Sequence, residues 1–341
     1  MTSKKKGAVV GKLLRWLIPL GISTAAFGLV LREIEFQQLV NNFSKIGLGT
    51  YLLASLLYFV SFFFRAFCWY ILMRRKVPFK DTLFTMGAGY LLNNIFPFRL
   101  GEVGRAILLG DPDGPSTLEV LSSVVVERIF DLFLASVFVL MTLPLILDAA
   151  YDQTFIVIAL FLTISGMAVL FLAARYRKSI IGWLTNWGER SDFVRQRILP
   201  KAVQVLEGLS VLNNPGLFML AFGSLTVSWL VAFGENLVVF RSLYPNPPFW
   251  WMIFVLSAGT FGAALPSAPS GLGVFEGVMV AAFALLGVNA GIAFTHAIVI
   301  HALFFIYANI LGLIGLRLRG DALIGLYRRV INRAPQTSEL E

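Results

Sequence analysis

Six stretches of this chain are apolar for long enough to cross a bilayer, and this limits what it can fold into more than any other feature. They run Leu13–Leu31, Leu48–Met73, Val120–Leu147, Phe155–Ala174, Leu217–Phe240 and Gly291–Leu316. About 20 helical residues cover the roughly 30 Å of hydrocarbon in a membrane. Charge is too scarce to clothe a soluble surface. Only 14% of the 341 residues are charged and 57% are hydrophobic, where a soluble domain carries about 25% charged. The expected class is therefore an all-α polytopic membrane protein. A single cysteine, Cys68, excludes internal disulfides and zinc ribbons, and two histidines exclude most metal-hydrolase constellations. No metal or other cofactor is expected.

The basic residues orient the spans. Of 28 Lys and Arg, 21 fall in four segments: before the first span (Lys4, Lys5, Lys6, Lys12, Arg15), after the second, after the fourth and after the sixth. By the positive-inside rule these segments and both termini are cytoplasmic, in a cell membrane. The same rule accounts for the formal charge of +9, so nucleic acid is not an expected partner. The first span, bent at Pro19, reads as an uncleaved anchor rather than a signal peptide, because apolar residues continue past Ser23–Ala26 to Leu31. Segment 175–214 reads as cytoplasmic, either amphipathic helix near the headgroups or solvated connector, and 317–341 as a basic cytoplasmic tail.

Two further apolar stretches are interrupted. Leu83–Leu109 contains Asn93-Asn94-Ile95-Phe96-Pro97-Phe98-Arg99-Leu100-Gly101-Glu102, and Trp250–Leu286 contains Pro266-Ser267-Ala268-Pro269-Ser270-Gly271-Leu272-Gly273. Backbone freed by Pro and Gly at membrane depth is tolerated only inside protein or beside a wet cavity. Both stretches are thus expected as re-entrant hairpins or broken helix pairs, each returning to its starting side. The chain then holds two span–hairpin–span units, 48–147 and 217–316, of similar plan and opposite topology. Inverted repeats with broken helices are a transporter plan, with the substrate site where the breaks meet.

Charges inside apolar stretches are costly and need partners or water. Glu127, Arg128 and Asp131 fall at i, i+1 and i+4, so Asp131 shares a helix face with both. Arg99, Glu102 and Arg105 repeat at three-residue spacing, again one face. An arginine at a hairpin tip, beside free helical N–H groups, is suited to phosphate. Arg99, Arg105 and Arg128 are accordingly the candidate headgroup contacts. Asn94, Glu102, Glu127, Asp131 and Glu276 form the expected supporting network. Glu276 either caps the returning helix or balances an arginine of the other hairpin. The alternative for every member is an ion-pair network that only holds the hairpins in place. Glu235 and Asn236 read as helix–helix hydrogen-bonding groups, and Arg65 as a cation that snorkels to the cytoplasmic interface. His296 and His301, about 140° apart on a helix, read as packing or cavity residues.

The pattern Asn94-x-x-Pro97-x-Arg99-x-Gly101-Glu102-x-x-Arg105, followed by Ser123-x-x-x-Glu127-Arg128-x-x-Asp131, resembles the first signature of the lysylphosphatidylglycerol synthase transmembrane-region family. Pro266-x-x-Pro269-x-Gly271-x-Gly273-x-x-Glu276, with Gly287-Val288 beyond, resembles the second. Ser270 stands where many members show a further glycine. The resemblance implies a flippase-like domain with two re-entrant segments, handling phospholipids or polyprenyl-linked lipids. In multiple-peptide-resistance type members this domain is fused to a soluble aminoacyl-transferase. With the sequence ending at Glu341, no such domain is expected here, and neither is lysyl transfer.

Three functions fit these readings. The first is a flippase for an anionic lipid held by intramembrane arginine. The second is an intramembrane transferase using Glu102, Glu127 and Asp131, against which their arginine neighbours compete for the same carboxylates. The third is a membrane scaffold for a separately encoded lipid- or glycan-modifying enzyme. The sequence shows no nucleotide-binding loop.

Overall fold

A computed structural model describes residues 20–28, 31–32, 34–96, 100–111, 113–146, 153–189, 191–264, 267–320, 323 and 325. Among these there are helices and no strands. A first helical stretch, α1, covers 20–28. It is followed by α2 (Phe36–Lys45), α3 (Leu48–Leu72), α4 (Phe79–Ile95), α5 (Leu100–Leu109), α6 (Thr117–Thr142), α7 (Gln153–Arg175), α8 (Arg177–Gly188), α9 (Leu199–Gly208), α10 (Pro215–Arg241), α11 (Phe249–Ala264), α12 (Val274–Leu285) and α13 (Ala290–Leu318). The Lys4–Lys6 run, Pro19 and most of the first apolar stretch lie outside the described residues.

Three helices, α3, α10 and α13, are long and apolar enough to cross a membrane. Their outward faces show why. Leu48, Leu52, Leu56, Phe59 and Phe63 of α3 are exposed, while Ala54, Tyr58, Phe62, Ala66 and Trp69 are buried. That is an apolar helix on all sides, as a lipid-facing span requires. Helix α6 is as long, and its charges fall on or beside its buried face. It ends five residues before the expected Leu147, in a 3-10 turn over Leu143–Leu145, because Pro144 cannot continue the helical ladder.

Both expected breaks are present. Helix α4 stops at Ile95, and Phe96 is extended at φ −113°, ψ 144°, the conformation forced on a residue that precedes proline. Helix α5 then packs back along α4. On the other side α11 ends at Ala264, a 3-10 turn covers Pro269–Gly271, and α12 returns along α11. Pro97, Arg99 and Pro266 lie outside the described residues.

The packing has a paired pattern. The most extensive contact is α3 on α10. Exchanging the unit α3–α6 with the unit α10–α13 turns the α4–α13 contact into α11–α6, and α5–α6 into α12–α13. All these contacts are present, as are α4–α5 and its counterpart α11–α12. Along the central seam Thr50 bonds Ser242 (3.0 Å), Ser61 bonds the Ser228 carbonyl (3.0 Å), and Ser224 bonds the Phe64 carbonyl (2.7 Å). As the α3 numbers rise, the α10 numbers fall, so the two helices are antiparallel. Ser228 also donates to the Ser61 carbonyl at 2.9 Å, a reciprocal pair of the kind a two-fold axis produces. The all-α, broken-hairpin architecture expected from hydropathy is the one observed.

Candidate functional site

Two polar clusters sit inside this bundle. The first belongs to α3, α5 and α6. Glu127 is fully buried and receives Arg105 Nη2 at 2.5 Å, with Arg65 Nη1 3.6 Å from its other oxygen. One turn further along α6, Asp131 receives Arg65 Nη1 at 2.6 Å and the Trp229 indole N–H at 3.1 Å. Arg128 lies 3.4 Å from Asp131 and 3.5 Å from Glu102. Three arginines and three carboxylates thus balance among the described residues. Sequence spacing places five of these groups; helix packing adds Arg65.

The three arginines are not equivalent. Arg105 has a side chain 1% exposed, lies with its guanidinium carbon 3.8 Å from the Trp69 ring centre, and makes its one ion pair among the described residues with Glu127. Glycine at position 89 leaves it room, because a Cβ there would fall 2.6 Å from Arg105 Cγ. Arg128 is 29% exposed, and both its ion contacts are longer than the 2.5–2.6 Å contacts that hold Arg105 and Arg65. Arg65 does not snorkel, which corrects its sequence reading: it turns inward because Asp131, one helix away, offers a carboxylate. A signal for this was present. Arg65 and Trp69 are four apart, on the buried face that meets Glu127, Asp131 and Arg105.

The second cluster joins the two breaks. Asn94, next to the end of α4, donates to Asn309 of α13 at 3.0 Å and accepts from Ser270 Oγ at 3.1 Å. Ser270 Oγ is 2.8 Å from His301 Nε2, and His301 Nδ1 is 2.5 Å from Glu276 Oε1. The other Glu276 oxygen accepts the Gly273 N–H at 2.7 Å. Glu276 takes the helix-cap role, and among the described residues its ionic partner is a histidine. Ser270, Gly271 and Gly273 have φ of 64°, 82° and 83°, a left-handed region that glycine enters freely and serine does not. This explains the Gly271-x-Gly273 pattern. Ser270 and His301 were not among the sequence candidates, since nothing in the local spacing links residues 94, 270, 276 and 301.

Gly101 forms the tight point of the first hairpin. Its N–H donates to Asn93 Oδ1 at 2.7 Å, and a Cβ would fall 2.0 Å from the Gly89 carbonyl oxygen. Pro269 opens the 3-10 turn that presents Ser270. Asn236 pairs with His296 Nε2 at 3.0 Å, joining α10 to α13, and Glu235 beside it is buried.

Antiparallel central helices, two broken helix pairs that touch at their breaks and a balanced intramembrane charge network define a polytopic helical membrane protein with a polar centre. The match to known proteins makes this specific. The model of the family described as the lysylphosphatidylglycerol synthase TM region matches residues 16–312, and the chain belongs to that family. A UPF0104 membrane protein of Methanothermobacter thermautotrophicus is 23% identical over 241 residues, 65% of this chain and 69% of that protein.

Proposed function

We propose that the protein moves an anionic phospholipid or polyprenyl-linked lipid between the leaflets of the cell membrane, with the headgroup phosphate gripped by arginine beside the first hairpin. The observation that carries this reading is Arg128. It is the most exposed and most loosely paired cation of the network. A phosphate can therefore compete with Glu102, 3.5 Å away and itself 18% exposed, for that guanidinium. Arg65 and Arg105 hold Asp131 and Glu127 in place behind it, so Arg105 acts on the headgroup through its charge rather than by touching it. Arg99 retains a headgroup role on sequence grounds alone. The carboxylates a transferase would use are engaged by arginine, which favours transport over chemistry.

The decisive variant is Arg128→Gln, which keeps polarity and loses the bidentate fork. In liposomes, leaflet exchange of a fluorescent anionic lipid should fall at least tenfold, about 1.4 kcal/mol of lost transition-state binding, and zwitterionic lipid should be less affected. Melting temperature should change little. An unstable variant, or one with unaltered lipid selectivity, would return Arg128 to a scaffolding role.

The reading also places both termini and the α8–α9 segment in the cytoplasm. In a Cys68-free background, a cysteine replacing Ser191 should resist a membrane-impermeant maleimide applied from outside. Labelling from outside would reverse the topology.

A further inference from the structure

The bridge between the two breaks is a hydrogen-bond chain with a direction. In the orientation the two amides hold, Asn94 Nδ2 donates to Asn309, and Ser270 Oγ donates to Asn94 Oδ1. A hydroxyl has one hydrogen to give. With that hydrogen on Asn94, His301 Nε2 must carry its own hydrogen toward Ser270, 2.8 Å away. The 2.5 Å contact between His301 Nδ1 and Glu276 Oε1 holds a second. The pair therefore carries two protons and no net charge. Remove one, and the remaining proton stays between Nδ1 and the carboxylate. Nε2 becomes an acceptor, Ser270 must donate to it, and Asn94 must turn its NH₂ to Ser270 and its oxygen to Asn309. Both amides must invert, and the contact joining the two hairpins opens while they do.

We infer that His301 and Glu276 form a proton-binding site that couples the junction of the two hairpins, and with it lipid movement, to proton uptake and release. This rests on the lipid-moving reading above. Both residues are buried, and loss of the proton leaves a net negative charge where charge is expensive. A bound anion adds to that cost and a bound proton removes it, so proton and anionic lipid travel together. The first hairpin has no such group facing its break among the described residues. Its acids there are tied to arginine, which holds its proton at any accessible pH.

The packed elements also carry Tyr51, Tyr58, Arg65, Cys68 and Tyr70 on α3, Lys80, Asp81 and Tyr90 on α4, Glu235 and Arg241 on α10, His296, Tyr307 and Arg317 on α13, and Lys45 on α2. His296 is held by Asn236, Tyr307 by Ser55 and Lys45 by Asn42. Among the described residues, the one ion pair His301 makes is with Glu276, and the rings of Phe275 and Phe304 flank it at 5.1 and 6.4 Å.

Serine, histidine and glutamate in this order also stand as nucleophile, base and acid. The backbone argues against that use. The N–H groups of Gly271, Leu272 and Gly273 are committed to Ala268 O, Pro269 O and Glu276, so these three residues offer no donor to an oxyanion.

The test uses the full chain in phosphatidylcholine vesicles holding a trace of fluorescent anionic lipid, with a pH dye trapped inside. An imposed pH gradient should change the lipid exchange rate several-fold, with the faster rate when lipid moves from the acidic side, and the dye should record proton entry that requires the protein. His301→Gln and Glu276→Gln should exchange at a rate indifferent to the gradient. Ser270→Ala, which leaves the proton pair intact and cuts the bridge, should admit protons and exchange lipid without linking the two. Melting temperatures show that each variant is folded. Wild-type exchange that ignores the gradient would overturn the coupling and leave the lipid reading standing. No wild-type exchange under any gradient would remove both. Labelling of Ser270 by a fluorophosphonate would replace the proton site with an enzyme.

Discussion

The first broken hairpin, α4–α5, is tied to its surroundings by full charges: Glu102 and Arg105 reach Arg128 and Glu127 of the following helix, with Arg65 of α3 completing the set. The second, α11–α12, occupies the matching place in the other unit. It is tied by a serine, a histidine and one carboxylate. The backbone plan and packing partners correspond, and the chemistry does not. A repeated fold thus sets where polar groups meet inside the membrane, and the residues at those places divide the work. On the reading proposed above, one hairpin holds an anion and the other binds a proton.

If the hairpins differ in this way, neutralising one acid in the polar cluster that ties down each should have unequal effects. Glu127→Gln strands Arg105, which has a side chain 1% exposed. Breaking a buried pair from one side costs about 3–5 kcal/mol, so the variant should melt far below wild type in detergent. Glu276→Gln keeps an oxygen for the Gly273 N–H and a polar group for His301. It should cost about 1 kcal/mol, the scale of a weakened helix cap. Equal losses in the two variants would erase the distinction between a charged and a nearly neutral hairpin.

A smaller effect separates the two turns. At Gly101 the constraint is space, with a Cβ placed 2.0 Å from a backbone oxygen. Gly101→Ala and Gly101→Asn should both be destabilised, by at least about 1–3 kcal/mol, as overpacking is. At Gly271 the constraint is the dihedral: φ is 82° and the nearest atom is 3.9 Å away. Gly271→Ala should cost about 1–2 kcal/mol, and Gly271→Asn less, because asparagine enters the left-handed region more readily. Chemical denaturation of the four variants checks this. The comparison fails if Asn is worse than Ala at position 271.

The helical class, the five long helices α3, α6, α7, α10 and α13 and both breaks were legible in the sequence. Their signals are local: runs of apolar residues, and Pro, Asn and Gly where a run stops. The common face of Glu127, Arg128 and Asp131 was legible for the same reason, since spacing along one helix fixes it. Arg65 was misread because its partner is 66 residues away on another helix. Ser270 and His301 were passed over because a serine in a turn and a histidine in a span carry no meaning until Asn94 and Glu276 stand beside them.

The sequence by itself determined that this chain lies in a membrane, where its helices break and which charges need partners. All of these follow from the energy of single groups in hydrocarbon and from periodicity within one helix. Only the tertiary structure decided which arginine is buried against Trp69, which remains open, and that Asn94 of one hairpin meets Ser270 of the other. Those outcomes depend on how antiparallel helices of two units dock across a common seam. The junction of the hairpins and the seam rest on contacts between residues more than 150 positions apart, the arginine network on contacts 22 and 66 positions apart, and no local pattern encodes either.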